Sequence, residues 1–116
     1  MNVFVTGAMG MLGQDVLAVL RNRGHQAFAS DLRMEGPGKL DLTETKAVLK
    51  AIHKAQPEVV FHLAAYTDVN KSESESALAY KVNAAATQNL ALACLELDIP
   101  LLYVSTDYVF DGTKGT

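Results

Sequence analysis

Three glycines near the N-terminus have the spacing most suggestive of chemistry. Gly7, Gly10 and Gly13 form a G-x-x-G-x-x-G string directly after the β-branched and aromatic run Asn2–Thr6. Glycines between a strand and a helix let a phosphate group approach the backbone, and the amides and dipole at the helix start favour an anion. The pattern predicts a pyrophosphate site formed by Gly7, Ala8, Met9, Gly10, Met11, Leu12 and Gly13. The alternative is a glycine-rich turn without a ligand.

An acid and a base follow the second predicted strand. Asp31 lies 18 positions after Gly13, where a dinucleotide site places an acid against the ribose 2′-hydroxyl. Arg33 is suited instead to pairing with a 2′-phosphate. The two residues favour opposite cofactors, so NADH and NADPH both remain open. Leu32, between them, is expected to line the same site. The alternative for Asp31 is an ordinary loop carboxylate or helix cap.

Three later segments leave predicted strands toward the same edge, where ligands bind in open parallel sheets. Asp41 and Leu42 would lie beside the adenine, unless Asp41 only stabilises the start of the next helix. In the segment 62–67 (HLAAYT), the small alanine side chains would let a cofactor lie against the backbone. The predicted cofactor site therefore also includes Leu63, Ala64, Ala65 and Tyr66. The segment 105–112 (STDYVFDG) begins with two hydroxyls, a carboxylate and a phenol.

Alternating apolar patterns define the elements that position these residues. Short apolar runs predict strands, and helical spacing predicts helices, over the following ranges. The strands are expected at 2–6, 25–30, 39–42, 58–63 and 101–104, and the helices at 11–23, 43–55 and 72–97. Such alternation is typical of an α/β fold, here a Rossmann-type doubly wound parallel sheet with strand order 3-2-1-4-5.

Length and composition exclude several classes of protein. The 116 residues provide one domain, and 49% apolar residues with a net charge of −3 argue against disorder and against nucleic-acid binding. No apolar run is long enough to span a membrane, and no basic segment follows Met1 as a signal peptide requires. The lone Cys94 cannot form an internal disulfide, and no metal cluster is evident. We therefore expect a cytoplasmic chain.

Together, the glycine string, HLAAYT, the pair Val82-Asn83 and STDYVFDG resemble the extended short-chain dehydrogenase/reductases, most closely the dTDP-4-dehydrorhamnose reductase branch. The resemblance covers the whole chain, which corresponds to the N-terminal, NAD(P)-binding part of a longer reductase. It implies NAD(P)H-dependent reduction of the 4-keto group of a nucleotide-linked deoxysugar. It also allows a homodimer of the full-length protein, and it gives His62 a role in supporting its strand.

The resemblance assigns roles to residues in two segments, 105–112 (STDYVFDG) and 64–69 (AAYTxV). Thr106 would be the hydroxyl member of a Thr/Tyr/Lys catalytic set, and Ser105 would contact the cofactor. No tyrosine of this chain has a lysine four residues later, so the family's Tyr-x-x-x-Lys pair is expected beyond Thr116. Asn70 stands where the family often has an acid, which leaves sugar specificity open. The substrate-binding residues implied by the family are Thr67, Val69, Thr106, Asp107 and Tyr108.

Two other functions share this fold and similar motifs. Regulatory subunits of methionine adenosyltransferase bind a partner protein instead of catalysing a reduction, and nucleotide-sugar epimerases or dehydratases belong to the same superfamily. The segment STDYVFDG argues against an epimerase or a dehydratase. A Tyr-x-x-x-Lys pair after Thr116 would favour an enzyme, and its absence a regulatory subunit.

Overall fold

The chain forms alternating strands and helices around one parallel sheet. The computed structural model describes residues 1–63 and 73–103. Within them the elements are β1 (Asn2–Thr6), α1 (Met11–Asn22), β2 (Gln26–Ser30), α2 (Thr45–Ala55), β3 (Val59–His62), α3 (Glu73–Leu97) and β4 (Leu101–Tyr103), with a 3-10 turn at Gly36–Gly38. The predicted α/β Rossmann-type fold is confirmed.

The described strands lie in the order β2-β1-β3-β4, and every neighbouring pair is parallel. This agrees with the predicted order except at 39–42, where the predicted strand is wrong. There, Lys39 makes only an isolated bridge to Asp31 on the outer side of β2. The turn Gly36–Gly38 brings the chain back to Asp31, and Leu40 then enters the core, so the pairing ends after one residue.

Alternate residues of β1 supply two cores, because successive strand side chains point to opposite faces. Phe4 packs on one face with the buried residues of α2 and α3, among them Val48, Ile52, Leu90 and Cys94. Val3 and Val5 pack on the other face with Leu17 of α1. A parallel sheet needs cover on both faces, and these helices provide it around β1.

Two further expectations need correction. The helix expected from Thr43 begins at Thr45, because the amide and hydroxyl of Thr43 both donate to Oδ1 of Asp41 in a tight turn, at 3.0 and 2.7 Å. The last strand was expected to be buried, but Leu102 and Tyr103 are 48% and 43% exposed. Among the described elements, β4 pairs with β3 and packs against α3.

The long helix α3 packs its small and apolar residues against the sheet, with Ala86, Leu90, Ala93 and Cys94 buried. Cys94 thus fills the core as a small apolar residue. Within the residues that the structure describes, no helix has the length and apolar character required to cross a bilayer.

Candidate functional site

The turn from β1 into α1 depends on two of its glycines for its own geometry. Gly7 has φ of +71°, a left-handed conformation that glycine adopts without strain. At Gly13, an added Cβ would overlap the Gly7 carbonyl oxygen and come within 2.9 Å of the Ala8 Cα. Gly7 therefore makes the turn, and Gly13 lets α1 pack against the strand that precedes it.

Gly10 differs from the other two glycines. Its φ of −75° suits any residue, and an added Cβ would lie 3.5 Å from the Gly7 carbonyl oxygen, an ordinary contact. Protein packing therefore does not require glycine at this position. A missing side chain on the outside of the turn leaves the backbone open to a ligand, as the close approach of a pyrophosphate would require.

Most amides within the turn are already used by the protein. The N–H groups of Ala8, Met9 and Gly10 all donate to groups nearby. Their acceptors are, in order, the Ser30 carbonyl oxygen at 3.0 Å, Asp31 Oδ2 at 3.0 Å and the Gly7 carbonyl oxygen at 3.1 Å. These bonds hold the turn against the end of β2 before any ligand binds.

The amides that remain available are at the start of α1. No side chain caps this helix, and the amides of Met11 and Leu12 have no partner among the residues that the structure describes. Unsatisfied amides at a helix N-terminus bind anions. Together with the open face at Gly10, they provide a site that fits a pyrophosphate, with its donors on the first turn of α1.

Exposed apolar side chains surround this site. Met9, Met11, Leu12 and Leu32 all belong to the predicted set, and Met11 is 88% exposed. Large apolar side chains cost free energy in water, and a cluster of them beside a cradle for phosphate suits contact with the flat rings of a ligand.

The carboxylate of Asp31 is buried against the turn. Oδ2 accepts the Met9 amide, and Oδ1 accepts the Arg33 amide at 2.9 Å and Arg33 Nε at 3.3 Å. Burial alone would raise the pKa of Asp31, but the hydrogen bonds from Arg33 and Met9 outweigh it and lower the pKa. Asp31 is therefore charged at neutral pH. The hydrogen bond predicted from Asp31 to a ribose would have to share these oxygens.

A second polar cluster lies where β3 ends. Thr6 Oγ1 and His62 Nδ1 share a buried hydrogen bond of 2.8 Å, and Thr6 Oγ1 also accepts the Leu63 amide at 3.1 Å. His62 is 1% exposed, and its burial lowers its pKa to about 4, so the ring is neutral at pH 7. Thr6 thus connects the end of β1 to the start of the segment after β3.

His62 belongs to a row of polar residues across the sheet. Ser30, Thr6, His62 and Tyr103 are the last residues of their strands and stand in register with one another. The His62 and Tyr103 rings stack with centroids 4.8 Å apart. Of the four residues in this row, only His62 was recognisable from the sequence as a strand-end residue. The available signal was a polar or aromatic residue ending each of four apolar strands.

The remaining predicted site residues divide into two groups. Asp41 is half-buried in its turn with Thr43, Leu42 packs against the core formed with α2 and α3, and Leu63 follows β3 beside Thr6. Several others lie outside the described residues, and their roles stay predictions: Ala64, Ala65, Tyr66, Thr67, Val69, Ser105, Thr106, Asp107 and Tyr108.

Comparison with known families identifies the group to which the sequence belongs. The model of the RmlD substrate binding domain matches residues 1–116. The chain belongs to this family. A dTDP-4-dehydrorhamnose reductase of Streptomyces griseus is 44% identical over 111 residues, which are 96% of this chain and 35% of that protein. The chain thus spans about a third of the length of this family member.

Two further family comparisons bear on function. The crystal structure of a dTDP-4-dehydrorhamnose reductase from Bacillus anthracis in complex with NADP superposes with a TM-score of 0.80 at 35% identity, and the match covers 96% of this chain and 38% of that one. The methionine adenosyltransferase 2 subunit beta of Rattus norvegicus is 35% identical over 97% of this chain and 34% of that protein. The chain is therefore similar, over nearly its whole length, both to a reductase and to a subunit of a methionine adenosyltransferase.

Proposed function

We propose that this chain is the dinucleotide-binding part of a reductase that uses NADPH or NADH to reduce the 4-keto group of a nucleotide-linked deoxysugar, converting dTDP-4-dehydrorhamnose to dTDP-L-rhamnose. The observation that carries the proposal is the turn from β1 into α1, with an open face at Gly10 and with amides at Met11 and Leu12 that have no partner in the described part of the chain. The reductase from Streptomyces griseus and the NADP complex from Bacillus anthracis support the choice of reaction and cofactor.

In this proposal the first turn of α1 binds the pyrophosphate of the cofactor. The amides of Met11 and Leu12 donate to it, and the helix dipole adds to the attraction. Met9, Met11 and Leu32 contact the adenosine side of the ligand, where their exposed side chains exclude water. When bound, NADPH or NADH supplies the hydride for the reduction.

The proposed catalytic residue of this chain is Thr106. Its hydroxyl would donate to the 4-keto oxygen of the sugar as negative charge develops there, while the proton comes from the tyrosine of a Tyr-x-x-x-Lys pair outside this chain. Thr67, Val69, Asp107 and Tyr108 would border the sugar. Since no tyrosine in the chain has a lysine at the fourth following position, residues 1–116 alone should not turn over the substrate.

The test of this function uses a full-length protein that joins this chain to the Tyr-x-x-x-Lys segment. It should oxidise NADPH in single turnover with dTDP-4-dehydrorhamnose. Thr106→Val keeps the side-chain shape but removes one donor, and the rate should fall by on the order of a hundred- to a thousandfold. The affinity for NADPH should stay unchanged, which separates catalysis from binding. A mutant as fast as the wild type would remove Thr106 from the catalytic set.

A second candidate function is a non-catalytic regulatory subunit. The similarity to the methionine adenosyltransferase 2 subunit beta supports it over 97% of the chain. Such a subunit would bind the dinucleotide at the same turn but would not consume NADPH with any 4-keto sugar. Binding of NADPH without turnover by the full-length protein would therefore favour this function over the reductase.

A further inference from the structure

The side chain of Asp31 connects two separate segments at the edge of the proposed cofactor site. Oδ2 accepts the amide of Met9 in the turn between β1 and α1 at 3.0 Å. Oδ1 accepts the amide and Nε of Arg33 at 2.9 and 3.3 Å, and Arg33 Nη2 lies 3.5 Å from Oδ2. One carboxylate therefore fixes both the turn and the arginine that follows β2.

These contacts fill the hydrogen-bonding capacity of the carboxylate. An ionised carboxylate has about four lone-pair directions, and here four donors occupy them. The side chain of Asp31 is also only 8% exposed. A ribose hydroxyl would have to displace a protein donor before it could bind Asp31. The acid is thus placed to organise the protein, although its position in the sequence is typical of an acid that binds ribose.

Arg33, in contrast to Asp31, is exposed and only partly engaged in hydrogen bonds. Its side chain is 64% exposed, and a guanidinium carries five N–H donors, of which Asp31 engages two through Nε and Nη2. The other donors have no partner among the described residues, and the neighbouring Leu32 is exposed as well. Because the charge of Asp31 is balanced by this ion pair, a phosphate that approaches Arg33 meets free donors without an uncompensated carboxylate beside them.

We propose that Asp31 is a positioning residue that locks the glycine-rich turn and Arg33 in place, so that Arg33 selects a cofactor carrying a 2′-phosphate. This inference rests on the proposed dinucleotide-binding function and specifies NADPH over NADH. The direction is opposite to that expected if Asp31 binds the ribose directly, because loss of a ribose acceptor would weaken NADH and relieve repulsion of the phosphate.

Asp31→Asn separates the two contacts. The amide oxygen of asparagine can still accept the Met9 N–H, but its NH2 group then faces the donors of Arg33. We expect the Kd for NADPH to rise about tenfold by calorimetric titration and the Kd for NADH to change less than about threefold. Glu35→Gln is the matched control, since Glu35 is an exposed carboxylate of the same loop. It should change neither constant by more than about twofold.

A double variant tests whether the effect acts through Arg33. In the Arg33→Ala background, where the selecting side chain is already absent, Asp31→Asn should no longer change the ratio of the two dissociation constants. A persistent change in that ratio would overturn the proposal. So would weaker NADH binding with unchanged or stronger NADPH binding in the single variant, or two constants that do not move.

A measurement without nucleotide keeps this inference separate from the proposed function. Hydrogen exchange of the Met9 amide should accelerate at least tenfold in Asp31→Ala, which removes its acceptor, and should remain near wild type in Asp31→Asn. Equal exchange rates in wild type and Asp31→Ala would overturn the anchoring role. If the wild type binds neither nucleotide, the dinucleotide function fails, and the exchange result still decides whether Asp31 holds the turn.

Discussion

The two central strands of the sheet end in different ways. At the end of β1, the chain turns through glycines, and this turn is possible because glycine has no side chain. At the end of β3, a buried hydroxyl and a neutral imidazole connect neighbouring strands. The first arrangement leaves backbone donors available for an anion. In the second, the Thr6 hydroxyl and Nδ1 of His62 bond to each other, and the buried Nε2 of His62 has no hydrogen-bond partner among the described residues. Opening a site for a charged ligand and holding a strand end in place therefore require opposite uses of polar groups.

The sharpest way to break the first arrangement is Gly13→Ala. The added methyl group would overlap backbone atoms of Gly7, which cannot move without opening the turn. We expect the free energy of unfolding to fall by about 3 kcal/mol, at the upper end of the usual cost of overpacking. Urea denaturation at pH 7.5 measures this change. A loss below about 1 kcal/mol would mean that α1 can shift away from the strand.

Acid should destabilise the folded chain through the buried His62 at the end of β3. Well above pH 6.5, His62 is neutral in both the folded and the unfolded chain, so it causes no pH dependence there. Between pH 6.5 and its folded pKa of about 4, only the unfolded chain takes up the proton. The free energy of unfolding should therefore fall as pH falls, by about 1.4 kcal/mol per unit and about 3 kcal/mol in total.

Denaturation of His62→Gln at several pH values between 7.5 and 4 checks the assignment. The variant should lose this slope, whatever its stability at pH 7.5. His53→Gln is the control, because His53 is exposed and pairs with Glu96 at the surface. It should keep the slope of the wild type. An unchanged slope in His62→Gln would assign the acid sensitivity to another group.

Gly10→Ala should have the smallest effect on stability and sharpens the contrast within the glycine string. Its methyl group makes only an ordinary contact at 3.5 Å, so the free energy of unfolding should fall by no more than about 1 kcal/mol, the usual cost of alanine at a helix N-cap. Affinity for NADPH should nevertheless fall at least tenfold, because the methyl group occupies the approach of the pyrophosphate. Calorimetric titration measures the affinity, and urea denaturation measures the free energy of unfolding. An unchanged affinity for NADPH would show that the pyrophosphate does not bind at Gly10.

The sequence was sufficient for the elements whose signals are local. The run Asn2–Thr6 and the glycine string predicted β1 and the turn, because β-branched residues and glycines act through their own backbone preferences. The strand expected at 39–42 failed for a non-local reason. Lys39 does reach the outer side of β2, but whether a bridge extends into a strand depends on where Leu40 packs.

The candidate site was predictable by position more than by role. The spacing from Gly13 located Asp31 correctly at the end of β2, next to the turn. It could not reveal that the carboxylate is occupied by Met9 and Arg33, because that depends on distances between segments far apart in the chain. The pairing of Thr6 with His62 was hidden for the same reason, since 56 positions separate the two residues.

Cys94 provides the chain with a probe of its own opening. The thiol is 3% exposed in the core between the sheet and α3, and burial raises its pKa. Thiol reagents react with the thiolate, so the folded core protects Cys94 twice, by exclusion and by protonation. Its rate of labelling therefore reports how often α3 separates from the sheet, without any introduced dye or mutation.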